Sequence, residues 1–326
     1  MHPERKEHAL LVSPRDMEAL LASIAHESAD SQTGLFGPDS ITWRIDRESA
    51  VFLGAGRAAL LQLAHPWVAA ALAEHSSLLS DPIARFHNTF RVVFAMVFGT
   101  AAQAFQSSRR LYALHTRVRG ELPEGVGRYP RHSHYEANEV NALRWVFATL
   151  VESALVAYES VMPPLTAAER EKYYAESKTT AALFGIPADA LPSDWAAFVT
   201  YFEEMVGSDA LGVSDHSRLM AQNLLHGAGS WIRPPLWYRA LTASWMPVRL
   251  RREFGLDLDA SDRRAVARAQ RWLPLIYRRT PLFLRFVGPY REAQCRLAGR
   301  SINATVQWSN RFWIGQPQLP MDKESF

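Results

Sequence analysis

The stretch Arg109-Arg110-Leu111-Tyr112-Ala113-Leu114-His115-Thr116-Arg117-Val118-Arg119-Gly120 reads as the end of an amphipathic helix. Leu111, His115 and Val118 follow one another at helical spacing and share a face. An imidazole with an apolar residue one turn on either side points inward. Gly120 is a natural stop. Upstream, Asp81-Pro82 supplies an N-cap and first-turn proline for a helix running to about Phe98. Gly99-Thr100 then ends that helix and caps the next, which is expected to continue to Arg119. The inward imidazole has two readings: a satisfied core histidine, or an axial ligand to a buried iron centre.

The same punctuation recurs along the chain. Glu18–Ser28 is a short amphipathic helix, followed by a Gly/Pro-bearing loop through Asp39. Arg47–Ala73 is apolar-rich, and Pro66 predicts a kink or break near His65. Leu122 through His134 reads as loop, and helical periodicity resumes near Glu136 and lasts to Met162. Thr166-Ala167-Ala168-Glu169 is a capping box, and Leu191-Pro192-Ser193-Asp194 opens a further helix. Breaks are expected near Gly227–Pro235, Gly255–Ser261 and Gly288-Pro289. The fold expected is all-α: an N-terminal helix and loop extension over 1–40, one large helical domain over 41–314, and a loose tail over 315–326. Two intimately packed helical halves would satisfy the same pattern.

Composition narrows the chemistry. The 326 residues are 48% hydrophobic and 21% charged, an ordinary globular balance. With Cys295 the only cysteine, the chain alone can build no disulfide, thiolate zinc site or cysteine-ligated cluster. The first residues lead into no secretory apolar core, Val92–Phe98 is too short to span a bilayer, and Arg57, Gln62 and His65 interrupt Ala50–Ala73. A cytoplasmic location is the default expectation. Net charge is only +3, yet Arg233–Arg300 holds fifteen arginines, no lysine and five acids. That region can attract anions or a membrane surface, or support a homo-oligomer contact, and it carries no recognisable nucleic-acid module. Rossmann, Walker and serine-hydrolase signatures are missing as well.

Arg85, Asn88 and Thr89 lie three and four residues apart and can project from one helix toward a common site. A fixed cationic fork beside short hydrogen-bonding groups suits developing negative charge; a polar crossing of the interior or a solvent-facing turn uses the same residues. Several segments, in order, resemble one family: Leu53-Gly54-Ala55-Gly56-Arg57 through Ala64-His65-Pro66, Ala73-Glu74-His75-Ser76, Asp81-Pro82, Arg85 through Thr89, and Val97-Phe98-Gly99. Leu114–Gly120 and Trp145-Val146-Phe147-Ala148-Thr149-Leu150-Val151 continue the match. The chain thus resembles the helical family that includes the rubber oxygenases (latex-clearing proteins) and the fungal MpaB-type oxygenases, over roughly Arg47 to Arg300.

The resemblance implies haem b held by a histidine, dioxygen as co-substrate, and oxidative cleavage of carbon–carbon double bonds in a hydrophobic, isoprenoid-type small molecule. His115 matches the proximal ligand, and Arg85 and Thr89 match polar residues beside the haem. Asn88 stands where the rubber-cleaving branch has lysine. Glu74 is a candidate acid/base residue beside a substrate channel, or a helix-end salt bridge. Phe147 replaces a histidine common in the family's Trp-Val-His-Ala-Thr-Leu motif; phenylalanine can line a haem cavity but cannot ligate metal. His65 is expected to make a structural hydrogen bond, His132 and His134 to lie in a loop, and His226 to mark a helix end. The competing functions are a non-catalytic haem or lipid-like ligand binder on the same scaffold, and an interaction module with a packed interior.

Overall fold

A computed structural model describes residues 10–27, 32–76, 81–227 and 233–320. In chain order the helices are α1 (Pro14–Glu27), α2 (Ile41–Asp46), α3 (Ala55–Leu63), α4 (Pro66–His75), α5 (Pro82–Phe98), α6 (Ala101–His115), α7 (Val140–Glu159) and α8 (Ala167–Leu183). They continue as α9 (Trp195–Gly207), α10 (Asp215–His226), α11 (Leu236–Trp245), α12 (Val248–Glu253), α13 (Ala260–Arg279), α14 (Leu282–Arg285), α15 (Gly288–Leu297) and α16 (Ala304–Ile314). A 3-10 turn at Ser49–Gly54 precedes α3. The all-α expectation holds, and the chain forms one predominantly helical domain. Ser28 and residues 228–232 of the Gly227–Pro235 break lie outside the described residues.

Local capping chemistry sets the helix starts. Asp81 accepts from Ala84 N at 2.9 Å, and Thr100 and Thr166 each complete reciprocal capping boxes with Gln103 and Glu169. Asp194 accepts from Ala197 N at 2.8 Å to open α9. Pro66 breaks the apolar run as expected: α3 ends at Leu63 and α4 begins on the proline.

One stretch differs from its sequence pattern. α6 stops at His115 rather than Arg119, and Arg119–Glu121 (β1) pairs antiparallel with His134–Glu136 (β2). Gly120 therefore lies in a strand opposite Tyr135 and caps no helix. Pairing across the intervening loop removes Val118 from the helical face it would share with His115. Of the tail expected over 315–326, 321–326 lie outside the described residues, and within the described part Leu319 is buried, its N–H donating to Glu292.

The core is built around α7, packed against α3 and the Ser49–Gly54 turn. Trp145 is fully buried, donates its indole N–H to the Leu61 carbonyl at 2.9 Å and stacks on Phe202. By length and a mean hydropathy of 1.4, α7 could cross a bilayer, but 61% of its apolar window is buried inside the protein. The backbones come close where Gly54 meets α7: a Cβ there would fall 2.4 Å from the Ser153 carbonyl oxygen. Arg57 crosses the same layer, ion-paired to Glu152, hydrogen-bonded to Ser153 Oγ at 2.9 Å and to the Trp245 carbonyl at 2.8 Å. A second apolar cluster joins Trp43, Phe94, Phe98, Tyr290 and Ile314 on the far side of α5.

Candidate functional site

The two-residue link Gly99-Thr100 folds α6 back against α5. The first turn of α5 thereby meets the last turn of α6, which places Arg85 and His115 at one end of the helix pair. Their electrostatic coupling is direct enough that the Arg85 cation helps depress the His115 pKa.

His115 is half-buried. Desolvation first, then Arg85, lowers its pKa to about 4, so the ring is neutral at physiological pH. The ring keeps some accessible surface while its neighbours strip away most of its water. Asn138 offsets part of the shift by hydrogen bonding. Its Nδ2 donates to Thr116 Oγ1 at 3.2 Å and more weakly to the Tyr112 carbonyl at 3.4 Å, and its Oδ1 is buried without a hydrogen-bond partner. Oδ1 is the amide atom left beside the His115 ring, and a neutral imidazole carries one N–H and one lone pair.

Arg85 is also half-buried, and burial lowers its pKa. Its Nε donates to Ser76 Oγ at 3.1 Å and its Nη1 to Thr89 Oγ1, while Thr89 in turn donates to the Arg85 carbonyl at 2.8 Å. Among the described residues no carboxylate pairs with this guanidinium. A desolvated cation held by neutral hydroxyls has capacity left for an anion.

The bond to Ser76 also brings the end of α4 to this corner, and Glu74 with it. Glu74 Oε2 accepts from Tyr135 OH at 2.6 Å, and burial with that bond raises the phenol's pKa. His75 Nε2 lies 3.8 Å from Glu74 and 3.2 Å from the Arg119 carbonyl oxygen. Asn88 does not join them: it is exposed and accepts from Arg91 at 3.3 Å. Phe147 sits in the α7 core at 2% exposure.

The other histidines have separate tasks. His65 is buried, with Nε2 3.1 Å from Tyr129 OH, and its pKa is pushed down to about 3 by desolvation. His132 and His134 are exposed beside Glu121. His226 Nδ1 lies 2.8 Å from the Gln222 carbonyl oxygen at the end of α10. No group of three or more His, Cys, Asp or Glu side chains forms a metal cage among the described residues. A cavity of about 20 Å³ beside Pro66, Ala69, Val126 and Ser217 has room for water and no more.

Asn138, Ser76 and Tyr135 complete the corner without having been singled out in the sequence. Ser76 was quoted only as the end of a family-like segment, while Asn138 and Tyr135 gave no local signal.

A neutral half-buried imidazole, an uncompensated arginine and a phenol-bound carboxylate thus meet at one end of the helical bundle. Residues 43–275 match the family described as ER-bound oxygenase mpaB/B'/rubber oxygenase, catalytic domain, and the chain belongs to that family. Comparisons with curated proteins and with solved structures give no match.

Proposed function

We propose that this chain is a haem-dependent oxygenase acting on a hydrophobic, isoprenoid-type substrate. The observation that carries the reading is His115: neutral, half-accessible, and next to a guanidinium without a carboxylate. This donor set fits haem b. His115 would ligate iron through its unprotonated ring nitrogen, and Arg85 would pair with a propionate. Haem b, when bound, supplies a redox-active iron that can reduce dioxygen.

The chain's own contribution is positioning and electrostatics. Thr89 and Ser76 hold the Arg85 fork so that its remaining donors face the corner without reorganisation. Tyr135 keeps the Glu74 carboxylate oriented, with one carboxylate oxygen accepting its proton-bearing hydroxyl. Glu74 can thereby hold or move a proton at the mouth of the site. Phe147 contributes packing and no ligand, so iron ligation rests on one protein imidazole.

Purified protein reconstituted with haem b should show a haem absorption band at one equivalent. His115→Ala should lose that band, and Arg85→Met should weaken binding while retaining it. No band in the wild-type protein after ample haem supply would overturn the reading. Stoichiometric haem without oxygen consumption on any apolar alkene would reduce it to a haem carrier.

A further inference from the structure

The second half of α13 and all of α14 show a surface that neither the core nor the proposed haem corner uses. Trp272, Leu275, Ile276, Leu282, Phe283 and Leu284 are each between 44% and 60% exposed. They fall within thirteen consecutive residues at the junction of the two helices, so the patch is continuous along the chain. Scattered exposed apolar residues need no explanation, but a cluster of large ones at a protruding turn does.

The charges around the patch are of one sign. From Arg263 to Arg300 the chain carries ten arginines and a single acid, Glu292. Glu292 faces inward, accepting from Asn310 Nδ2 and from Leu319 N. Arg264, Arg268, Trp272 and Ile276 follow one another at four-residue spacing and form one row on α13. Leu275 and Arg279 form the neighbouring row, and the Arg271 guanidinium lies 5.8 Å from the Trp272 ring centre. Among the described residues Arg268, Arg271 and Arg279 make no ion pair with a carboxylate, while Arg264 acts on the Asp259 carboxylate at the start of α13.

We propose that the α13–α14 edge docks the protein on an anionic lipid bilayer, with the apolar side chains entering the interface and the arginines meeting lipid phosphates. Tryptophan, leucine and phenylalanine flanked by arginine are the composition of an in-plane interfacial anchor. Charge separates this occupant from a second copy of the chain. Two such patches face to face would bring six unpaired guanidiniums together, with no acid between Arg263 and Arg291 to neutralise them. A nucleic acid would satisfy the arginines and leave six large apolar side chains in water.

Flotation with mixed phosphatidylcholine–phosphatidylglycerol vesicles tests this, with pure phosphatidylcholine vesicles as reference. The wild-type chain should float with the anionic vesicles, lose binding as salt rises, and stay behind with the neutral ones. Ile276→Ser with Phe283→Ser should cut partitioning at least about tenfold. Arg268→Glu with Arg271→Glu should cut it by roughly twentyfold or more, at about fivefold for each arginine removed. All four side chains are exposed, so thermal melting of the variants should match wild type. Failure of the wild type to float overturns the proposal. So does a dimer that the serine variants dissolve in the absence of lipid, or polynucleotide binding that is insensitive to Ile276 and Phe283. None of these outcomes depends on haem loading.

Discussion

Arg57 and Arg85 are both arginines taken out of water, and the protein treats them in opposite ways. Arg57 crosses the α3–α7 layer, where Glu152, Ser153 and the Trp245 carbonyl occupy its donors. Arg85, at the α5–α6 corner, has two hydroxyls and no counter-charge among the described residues. The histidines nearby follow suit. His65 is fully enclosed beside Tyr129, one ring nitrogen bonded and the other without a partner, while His115 keeps accessible surface. Between the two arginines, the one with a carboxylate partner belongs to the region that holds the fold together, and the one without it lies where a ligand can supply the counter-charge.

The largest effect should come from breaking the closed region. Arg57→Ala leaves Glu152 desolvated without its cation, and burial already pushes that carboxyl up. Denaturant titration should show a loss of about 3–5 kcal/mol. Phe147→His tests whether restoring the family's imidazole restores a ligand. The position is 2% exposed among apolar neighbours, so the substitution should cost about 2–4 kcal/mol and leave haem affinity unimproved. A stable Phe147→His protein with tighter haem binding would break the division between the two regions.

A smaller effect concerns Asp46, which accepts from Tyr173 OH at 3.1 Å inside the closed region. Desolvation raises its pKa to about 7 from 3.8. The folded state therefore holds a proton that the unfolded state releases earlier. Stability is greatest below about pH 4 for this group and falls as pH rises toward 7. After allowance for solvent at a partly accessible site, the fall is on the order of 2 kcal/mol, and Asp46→Asn should flatten it. The smallest effect should be that of Arg85→Met on the haem-free protein, with the unfolding midpoint unchanged or slightly raised, because an unpaired desolvated charge is removed. A loss of 2 kcal/mol or more there would show, by chemical denaturation, that Arg85 belongs to the scaffold.

What could be read from the chain follows the range of the interaction. Asp81, Thr100, Thr166 and Asp194 cap helices through bonds spanning three residues, and all four starts are visible in the sequence. His115, Arg85 and Thr89 were also visible, because helical spacing fixes which side chains share a face. The end of α6 was not, because its competitor is the pairing of Arg119 with Glu136 across a loop. Asn138 was invisible for the same reason: it becomes a partner of His115 only when the β2 turn returns to α6. Asn88 shows the limit of spacing alone, since a position between Arg85 and Thr89 still faces outward to Arg91.

Gly120 has a consequence beyond its place in β1. A methyl group on it would lie 2.6 Å from Tyr135 OH and 2.8 Å from Glu74 Oε2, inside the bond that joins them. The missing side chain is thus a keyhole through which phenol and carboxylate reach each other across the ribbon. Inserting alanine would pry them apart and turn Glu74 loose at the rim. One carbon atom decides whether that acid is tethered or at liberty.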